Sequence, residues 1–98
     1  MRAVLDRYVQ AYEGRNMGLL KQIWPSFSDE KGRLGDAFKR FNRWTVGISI
    51  ESVRIQGTRA TVVVARQDVV DGTETPRRSQ TFTFVDTGGT WVIESVGG

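Results

Sequence analysis

Cysteine and histidine are both absent from this chain of 98 residues. Without cysteine there is no disulfide, no thiolate zinc site and no thiol nucleophile, and the redox compartment stays open. Without histidine the chain lacks the commonest metal ligand and the commonest general base. We therefore predict no metal site and no cofactor.

Long hydrophobic runs are absent as well. None approaches the roughly 20 residues that a membrane-spanning helix needs, and the N-terminus lacks the apolar core of a secretory signal. We therefore expect no membrane partner. The opening segment "MRAVLDRYV" enters a helix almost at once, which suits a domain excised from a longer protein and given a starting Met.

The basic charge is concentrated in the first half of the chain. Residues 1–43 hold nine basic and five acidic side chains, net +4, whereas residues 44–98 hold five and six, net −1. The excess lies at Lys39, Arg40 and Arg43, without the interleaved aromatic residues of a single-strand binder. We predict no nucleic-acid partner, and interpret this patch as a solvated helix face or a surface for an acidic protein.

The first part of the sequence has helical periodicity. Apolar residues at the spacing of one helix face predict a helix from Ala3 to Glu13. Asn16 is a suitable N-cap for a second helix from Met17 to Trp24, which Pro25 ends, because a residue before proline is pushed out of helical geometry.

A third helix is predicted to begin at Ser28, where Asp29 and Glu30 supply the negative charge that suits a helix N-terminus. Its apolar face comprises Leu34, Ala37, Phe38 and Phe41. The first 43 residues are thus expected to form three short helices.

The period then changes to two. Apolar residues alternate with polar or small ones at Trp44, Val46, Ile48 and Ile50. The alternation resumes one place out of phase at Val53 and Ile55, which predicts a β-bulge near Glu51 and Ser52. Gly57 then makes a tight turn that pairs Val53 and Ile55 with Ala60 and Val62.

Three more strands follow, predicted at Ala60–Val70, Arg78–Val85 and Trp91–Val96, with turn-rich segments between them. The fold class is therefore α+β, with three N-terminal helices packed on the concave face of a curved four-stranded antiparallel sheet. A chain of this length has room for one hydrophobic core, so residues 1–98 form a single domain.

The segments "RYVQAYEGRN" and "GGTWVIESV", together with the order of helices and strands, resemble the nuclear transport factor 2-like superfamily. This is the cystatin-like cone fold shared by ketosteroid isomerases and polyketide cyclases. The resemblance covers nearly the whole chain, but the strand or hairpin that many members insert after the second helix is missing. It extends to a compact subgroup appended to larger bacterial proteins such as signalling kinases.

The isomerase roles that the resemblance implies transfer only in part. Tyr8 lies in an "RYV" segment, as the oxyanion-binding tyrosine of the isomerases does. The oxyanion acid of the isomerases is replaced by Gln80, which donates hydrogen bonds but is not an acid. The catalytic base belongs to the missing strand, and only Asp29 and Glu30 follow in its place. The cyclases that the chain resembles use histidine, which is absent.

Strand alternation predicts a polar group on the inward face of the sheet. If Val62 and Val64 face the helices, Arg66 and Asp68 do so too. Burial of an ionised group is costly unless it is paired or hydrated. The two residues are therefore either a simple ion pair or the polar end of a ligand pocket. The candidate pocket comprises Tyr8, Trp24, Arg66, Asp68, Gln80 and Phe82, with Phe38 and Trp44 as further wall residues.

The opposite face of the sheet is mixed and moderately apolar, and we expect it to form a homodimer. Its residues are Thr61, Val63, Ala65, Thr81, Thr83, Val85, Val92 and Val96. We predict a non-catalytic accessory domain that binds a small hydrophobic ligand or a protein partner. The alternative is a small isomerase or cyclase acting on a hydrophobic carbonyl compound, with Tyr8 polarising the carbonyl and Asp68 as base.

Overall fold

The structure is a computed structural model that describes residues 1–29 and 31–97. Glu30, predicted in the first turn of the third helix, lies outside the described residues. The described residues form α1 (Arg2–Glu13), α2 (Met17–Ile23), α3 (Arg33–Arg40), β1 (Trp44–Gln56), β2 (Arg59–Val70), β3 (Thr73–Glu74), β4 (Arg78–Asp86) and β5 (Trp91–Gly97). The α+β class and the order of three helices before the sheet are confirmed.

The first two helices have the predicted boundaries within one residue. Asn16 caps α2, because its Oδ1 accepts a 3.1 Å hydrogen bond from the backbone N–H of Leu19. The predicted start of the third helix at Ser28 is wrong. α3 begins at Arg33, preceded by Gly32 in the left-handed region with φ of 64°.

Asp29 nevertheless stabilises the N-terminus of α3, although it lies outside the helix. Its Oδ1 accepts from Leu34 N at 3.2 Å and its Oδ2 from Gly35 N at 2.9 Å. A negative side chain beside the free N–H groups of a first turn is favourable. Asp29 therefore supplies negative charge to this N-terminus as predicted, although the helix begins at Arg33 and not at Ser28.

The sheet is antiparallel and curved, with the order β1-β2-β4-β5. The predicted bulge in β1 is confirmed, since the pairing with β2 shifts between Ile50 and Ser52. The predicted β1-β2 hairpin is also confirmed, because Val53 pairs with Val62 and Ile55 with Ala60. A fifth strand, the two-residue β3, pairs with the end of β2 in a segment predicted as a turn.

A second bulge, in β5, places Val96 on the opposite face of the sheet from the one predicted. Thr83 pairs with Ser95 but Phe84 pairs with Ile93, so Glu94 is the extra residue. After this shift Val96 pairs with Phe82, which is fully buried beneath the helices. The prediction that Val96 lies on the outer face is therefore wrong.

The core lies between the helices and the inward face of the sheet. Its buried members are Leu5, Tyr8, Ala11, Leu20, Ile23, Ala60, Val62, Val64, Phe82, Phe84 and Ile93. None of the helices within residues 1–29 and 31–97 has the length and apolar character to cross a membrane. The helices thus cover one side of the sheet, and the inward residues of β2 and β4 that run beyond the core form the candidate site.

Candidate functional site

Arg66 and Asp68 both face inward from β2 and are only 3% and 4% exposed. The guanidinium binds the carboxylate in a bidentate manner, with Nε to Oδ1 at 2.9 Å and Nη2 to Oδ2 at 3.0 Å. Two parallel charge-assisted hydrogen bonds are the strongest form of this contact. The pair therefore offsets much of the desolvation that burial of two charges would otherwise cost.

The remaining edge of the Arg66 guanidinium binds two residues from other elements. Nη1 donates to the hydroxyl of Tyr8 on α1 at 2.6 Å and to Oε1 of Gln80 on β4 at 3.0 Å. The guanidinium carbon also lies 5.3 Å from the ring centre of Tyr8 and 4.7 Å from that of Tyr12. Arg66 thus joins the first helix, β2 and β4 at one point.

Asp68 accepts a further hydrogen bond from Trp44, whose indole Nε1 donates to Oδ2 at 2.9 Å. Burial alone would raise the pKa of Asp68, but the hydrogen bonds from Arg66 and Trp44 outweigh it and lower the pKa. The carboxylate is therefore ionised at neutral pH, and both of its oxygens already accept hydrogen bonds.

Whereas Asp68 is held in its ionised form, the environment of Tyr8 favours its neutral form. Burial raises the pKa of Tyr8 far above its ordinary value, and the neighbouring Tyr12 raises it further, while Arg66 opposes the shift. The Tyr8 ring meets Phe82 edge to face, with ring centres 5.0 Å apart. Tyr8 is thus a fixed, protonated hydroxyl group beside the Arg66 guanidinium.

A cleft with a volume of 290 Å³ opens over this network, between α1, α3 and the strands. Four of the predicted pocket residues line it: Tyr8, Trp24, Arg66 and Gln80. The other two do not line it: Asp68 is bound to Arg66, and Phe82 is fully buried against the Tyr8 ring. Whether these residues bind a ligand stays a prediction.

Phe38 and Trp44, predicted as further wall residues, are not among the residues that line the cleft. They pack with Tyr12 in an aromatic cluster, with ring centres 5.4 to 5.6 Å apart. Edge-to-face packing of this kind stabilises cores. The two residues therefore support Tyr12, which lines the cleft.

Several residues of the cleft were not predicted from the sequence: Tyr12, Phe27, Asp29, Arg33, Leu34, Arg78 and Val96. Arg78 carried a usable signal, because it lies two residues before Gln80 and so shares its face. Val96 was hidden by the bulge at Glu94. Phe27 lies between α2 and α3, where no periodicity indicates which way a side chain points.

The linker that carries Phe27 is fastened to the last strand. Trp24 Nε1 and Ser26 Oγ both donate to the backbone oxygen of Glu94, at 3.2 and 3.1 Å. Trp24 and Phe27 then pack against each other, with ring centres 4.9 Å apart. The bulge in β5 thus fixes the aromatic wall of the cleft.

A metal centre is not formed by the described residues. Within residues 1–29 and 31–97, no three aspartate or glutamate side chains come together as the ligands of a metal ion would. The acidic groups near the cleft are instead bound by an arginine or by backbone N–H groups.

Comparison with known proteins gives similarity in structure alone. No family profile matches the chain, and no curated protein matches it by sequence. Kfla4162 from Kribbella flavida superposes with a TM-score of 0.79 at 17% identity, over 97% of this chain and 84% of its own. A designed nuclear transport factor 2-like protein superposes with a TM-score of 0.74 at 15% identity, over 98% and 93%.

A third solved structure, from Thiobacillus denitrificans, is assigned as a calcium/calmodulin-dependent protein kinase type II association domain. Its TM-score is 0.76 at 14% identity, over 98% of this chain and 90% of its own. The chain has the nuclear transport factor 2-like fold. Since one fold hosts many functions, this likeness establishes the architecture and leaves the activity to the site.

Proposed function

We propose that this nuclear transport factor 2-like domain is a non-catalytic module that binds a small, largely hydrophobic ligand in the 290 Å³ cleft. The observation that carries the proposal is the cleft itself, which combines aromatic walls with a buried polar end. Ligand pockets commonly have volumes of roughly 300 to 1,000 Å³, apolar walls and a few fixed polar groups. The cleft is at the lower limit of this range, which favours a ligand of one or two rings.

The state of Asp68 supports a binding role over the alternative of an isomerase or cyclase. A catalytic base must reach the substrate and must have a pKa near the working pH. Asp68 is 4% exposed and does not line the cleft, accepts hydrogen bonds at both oxygens, and has a lowered pKa. These properties suit a carboxylate that fixes Arg66 in place.

Asp29 is the only described acidic residue that lines the cleft. Its two oxygens accept from the backbone N–H groups of Leu34 and Gly35. Both oxygens of Asp29 are thus engaged by the N-terminus of α3. The cleft thus offers donors and positive charge, but no well-placed acid-base pair.

We further propose that the domain is an accessory unit that pairs with a second copy through the outer face of the sheet. The resemblance of the fold to an assigned kinase association domain supports an accessory role. On the outer face, Val63, Ala65 and Thr83 are half-buried and small, and they alternate with the buried inward residues Val62, Val64 and Phe82 of the core. Such a face suits contact with another sheet.

Binding can be tested by NMR titration of the ¹⁵N-labelled protein with 2-naphthol, 2-naphthamide and 2-naphthoate. We expect at least one probe to shift the indole N–H signal of Trp24 in the cleft, and to leave that of Trp91 outside it unchanged. Val96→Phe fills the cleft and should abolish the shift. Val92→Phe on the other face of β5 is the matched control and should not.

The proposal would be wrong if none of the three probes moved the Trp24 signal at millimolar concentration. It would also be wrong if Val92→Phe weakened binding as much as Val96→Phe, because the probes would then occupy the outer face.

A further inference from the structure

The polar end of the cleft is built so that its side chains donate hydrogen bonds. Arg66 has five N–H groups and no acceptor. Tyr8 and Gln80 must therefore present their oxygens to Nη1, at 2.6 and 3.0 Å. This contact orients both side chains and leaves their hydrogens for another acceptor.

Gln80 shows this most clearly. With Oε1 bound to Arg66, its Nε2 group has two hydrogens to donate, and no acceptor contacts it among the residues that the structure describes. The hydroxyl groups of Tyr8 and Tyr12 add to this. Even when one of them donates to the other, one hydroxyl hydrogen remains for a ligand in the cleft.

Three arginines, Arg33, Arg66 and Arg78, line the cleft around these donors, against one described acidic residue, Asp29, whose oxygens both accept from backbone N–H groups. Arg78 lies directly opposite Arg66 on the neighbouring strand, and Arg33 lies across the cleft on α3. Within residues 1–29 and 31–97, neither Arg33 nor Arg78 has a carboxylate within 4.0 Å, whereas Arg66 has Asp68. The rim thus carries two cations for which the described part of the chain supplies no direct partner.

We propose that the cleft selects an organic acid, with its carboxylate at the Gln80 and Arg78 end and its ring against Trp24 and Phe27. This inference rests on the proposed ligand-binding function and makes it more specific. A carboxylate supplies the acceptors that the oriented Gln80 and tyrosine hydrogens require, and its single negative charge offsets part of the positive charge of the rim. A neutral amide of the same shape has an NH2 group in place of one carboxylate oxygen. Its two N–H donors would face the N–H and O–H donors of the cleft and find no acceptor there.

The matched probes 2-naphthoate and 2-naphthamide differ in charge and in acceptor capacity, but little in shape. We expect the carboxylate to bind about tenfold more tightly or better, because hydrogen bonds to a charged group are stronger than those to a neutral one. The dissociation constants come from NMR titration of the Trp24 indole signal. Added salt should weaken binding of the carboxylate and leave the amide nearly unchanged.

Two variants separate this inference from a general attraction to a basic protein. Arg78→Gln should reduce the preference for naphthoate several-fold. Arg77→Gln removes the same charge one residue earlier, on the outer face, and should leave the preference unchanged. Gln80→Glu keeps an oxygen for Arg66 but replaces the two donors with a negative charge, so it should abolish the preference.

The outcomes distinguish the two proposals. If naphthamide bound as tightly as naphthoate, the inference would be overturned while the ligand-binding function stood. Equal effects of Arg77→Gln and Arg78→Gln would overturn it as well. If neither probe bound at millimolar concentration, both the inference and the proposed function would fail. Circular dichroism of each variant checks that it is folded, so that a lost preference for naphthoate is not caused by unfolding.

Discussion

Trp44 and Asp68 are 24 residues apart in the chain and are joined by a 2.9 Å hydrogen bond from the indole Nε1 to Oδ2. The same indole ring packs edge to face against Tyr12 and Phe38. One side chain thus connects the aromatic cluster behind the cleft to the buried ion pair. Asp68 in turn binds Arg66 through two hydrogen bonds.

Trp44→Phe tests this connection, because phenylalanine keeps an aromatic ring but has no N–H to donate. We expect the free energy of unfolding to fall by about 1.5 to 3 kcal/mol, the usual range for a hydrogen bond to a charged group. Urea unfolding followed by circular dichroism measures it. Trp91→Phe is the control, since no described contact uses its indole N–H, and an equal loss there would contradict the assignment.

Removing one partner of the Arg66–Asp68 ion pair should destabilise the domain more than replacing both partners with apolar residues. Asp68→Ala leaves the Arg66 charge buried and unpaired, so it should destabilise the domain by about 3 to 5 kcal/mol. The double variant Arg66→Met with Asp68→Leu removes both charges, and should recover most of this loss because apolar replacements of buried pairs are often neutral.

The control for this pair is the contact of Arg59 with Glu94, whose side chains are 64% and 38% exposed. Glu94→Ala should change the free energy of unfolding by no more than about 1 kcal/mol, as exposed pairs do. If Asp68→Ala cost no more than Glu94→Ala, or if the double variant were less stable than Asp68→Ala, the account of the pair would be wrong.

The lowered pKa of Asp68 predicts sensitivity to acid. The ordinary pKa of this side chain is 3.8, and the folded value lies below it. As the pH falls through 3.8, the unfolded chain binds a proton that the folded protein does not, so unfolding is favoured. The stabilisation from Asp68 is therefore complete above the ordinary pKa and is lost as the pH falls through the folded pKa.

The measurement is the free energy of urea unfolding at a series of pH values from neutral to about pH 3. We expect a decline below about pH 4 that is weaker in Asp68→Asn, which has no proton to bind. Glu74→Gln, at an exposed position, should follow the natural chain. Parallel declines for Asp68→Asn and the natural chain would refute the prediction.

The fold could be predicted from the sequence largely because periodicity changes sharply at Trp44. The bulge in β1 could be predicted because apolar residues alternate on both sides of it, and the alternation after it is shifted by one residue. The bulge in β5 could not be predicted, since Val96 is the only apolar side chain that follows Glu94 in β5. A single apolar residue cannot define a phase, so Val96 was assigned to the wrong face.

The candidate site was predictable where it rests on strand alternation. Arg66 and Asp68 stood out because charges on an inward face are unusual. Gln80 was named instead through the resemblance to the isomerases, whose oxyanion acid it replaces. Arg33 was not predictable, because its place depends on where α3 begins. That boundary is set by Asp29 reaching across a loop to two N–H groups, a contact between residues five and six positions apart that no local pattern encodes.

The outer face of the sheet predicts a homodimer whose formation can be blocked by one charge. Thr61 and Thr83 are direct cross-strand neighbours on that face. Thr83→Lys places a cation where the two sheets would meet, and should shift the mass measured by light scattering from twice 11.0 kDa to 11.0 kDa. Thr58→Lys, in the exposed β1-β2 turn, carries the same change away from the face and should remain dimeric. A natural chain that is monomeric at micromolar concentration would exclude pairing through the sheet, whereas the cleft on the other side would be unaffected.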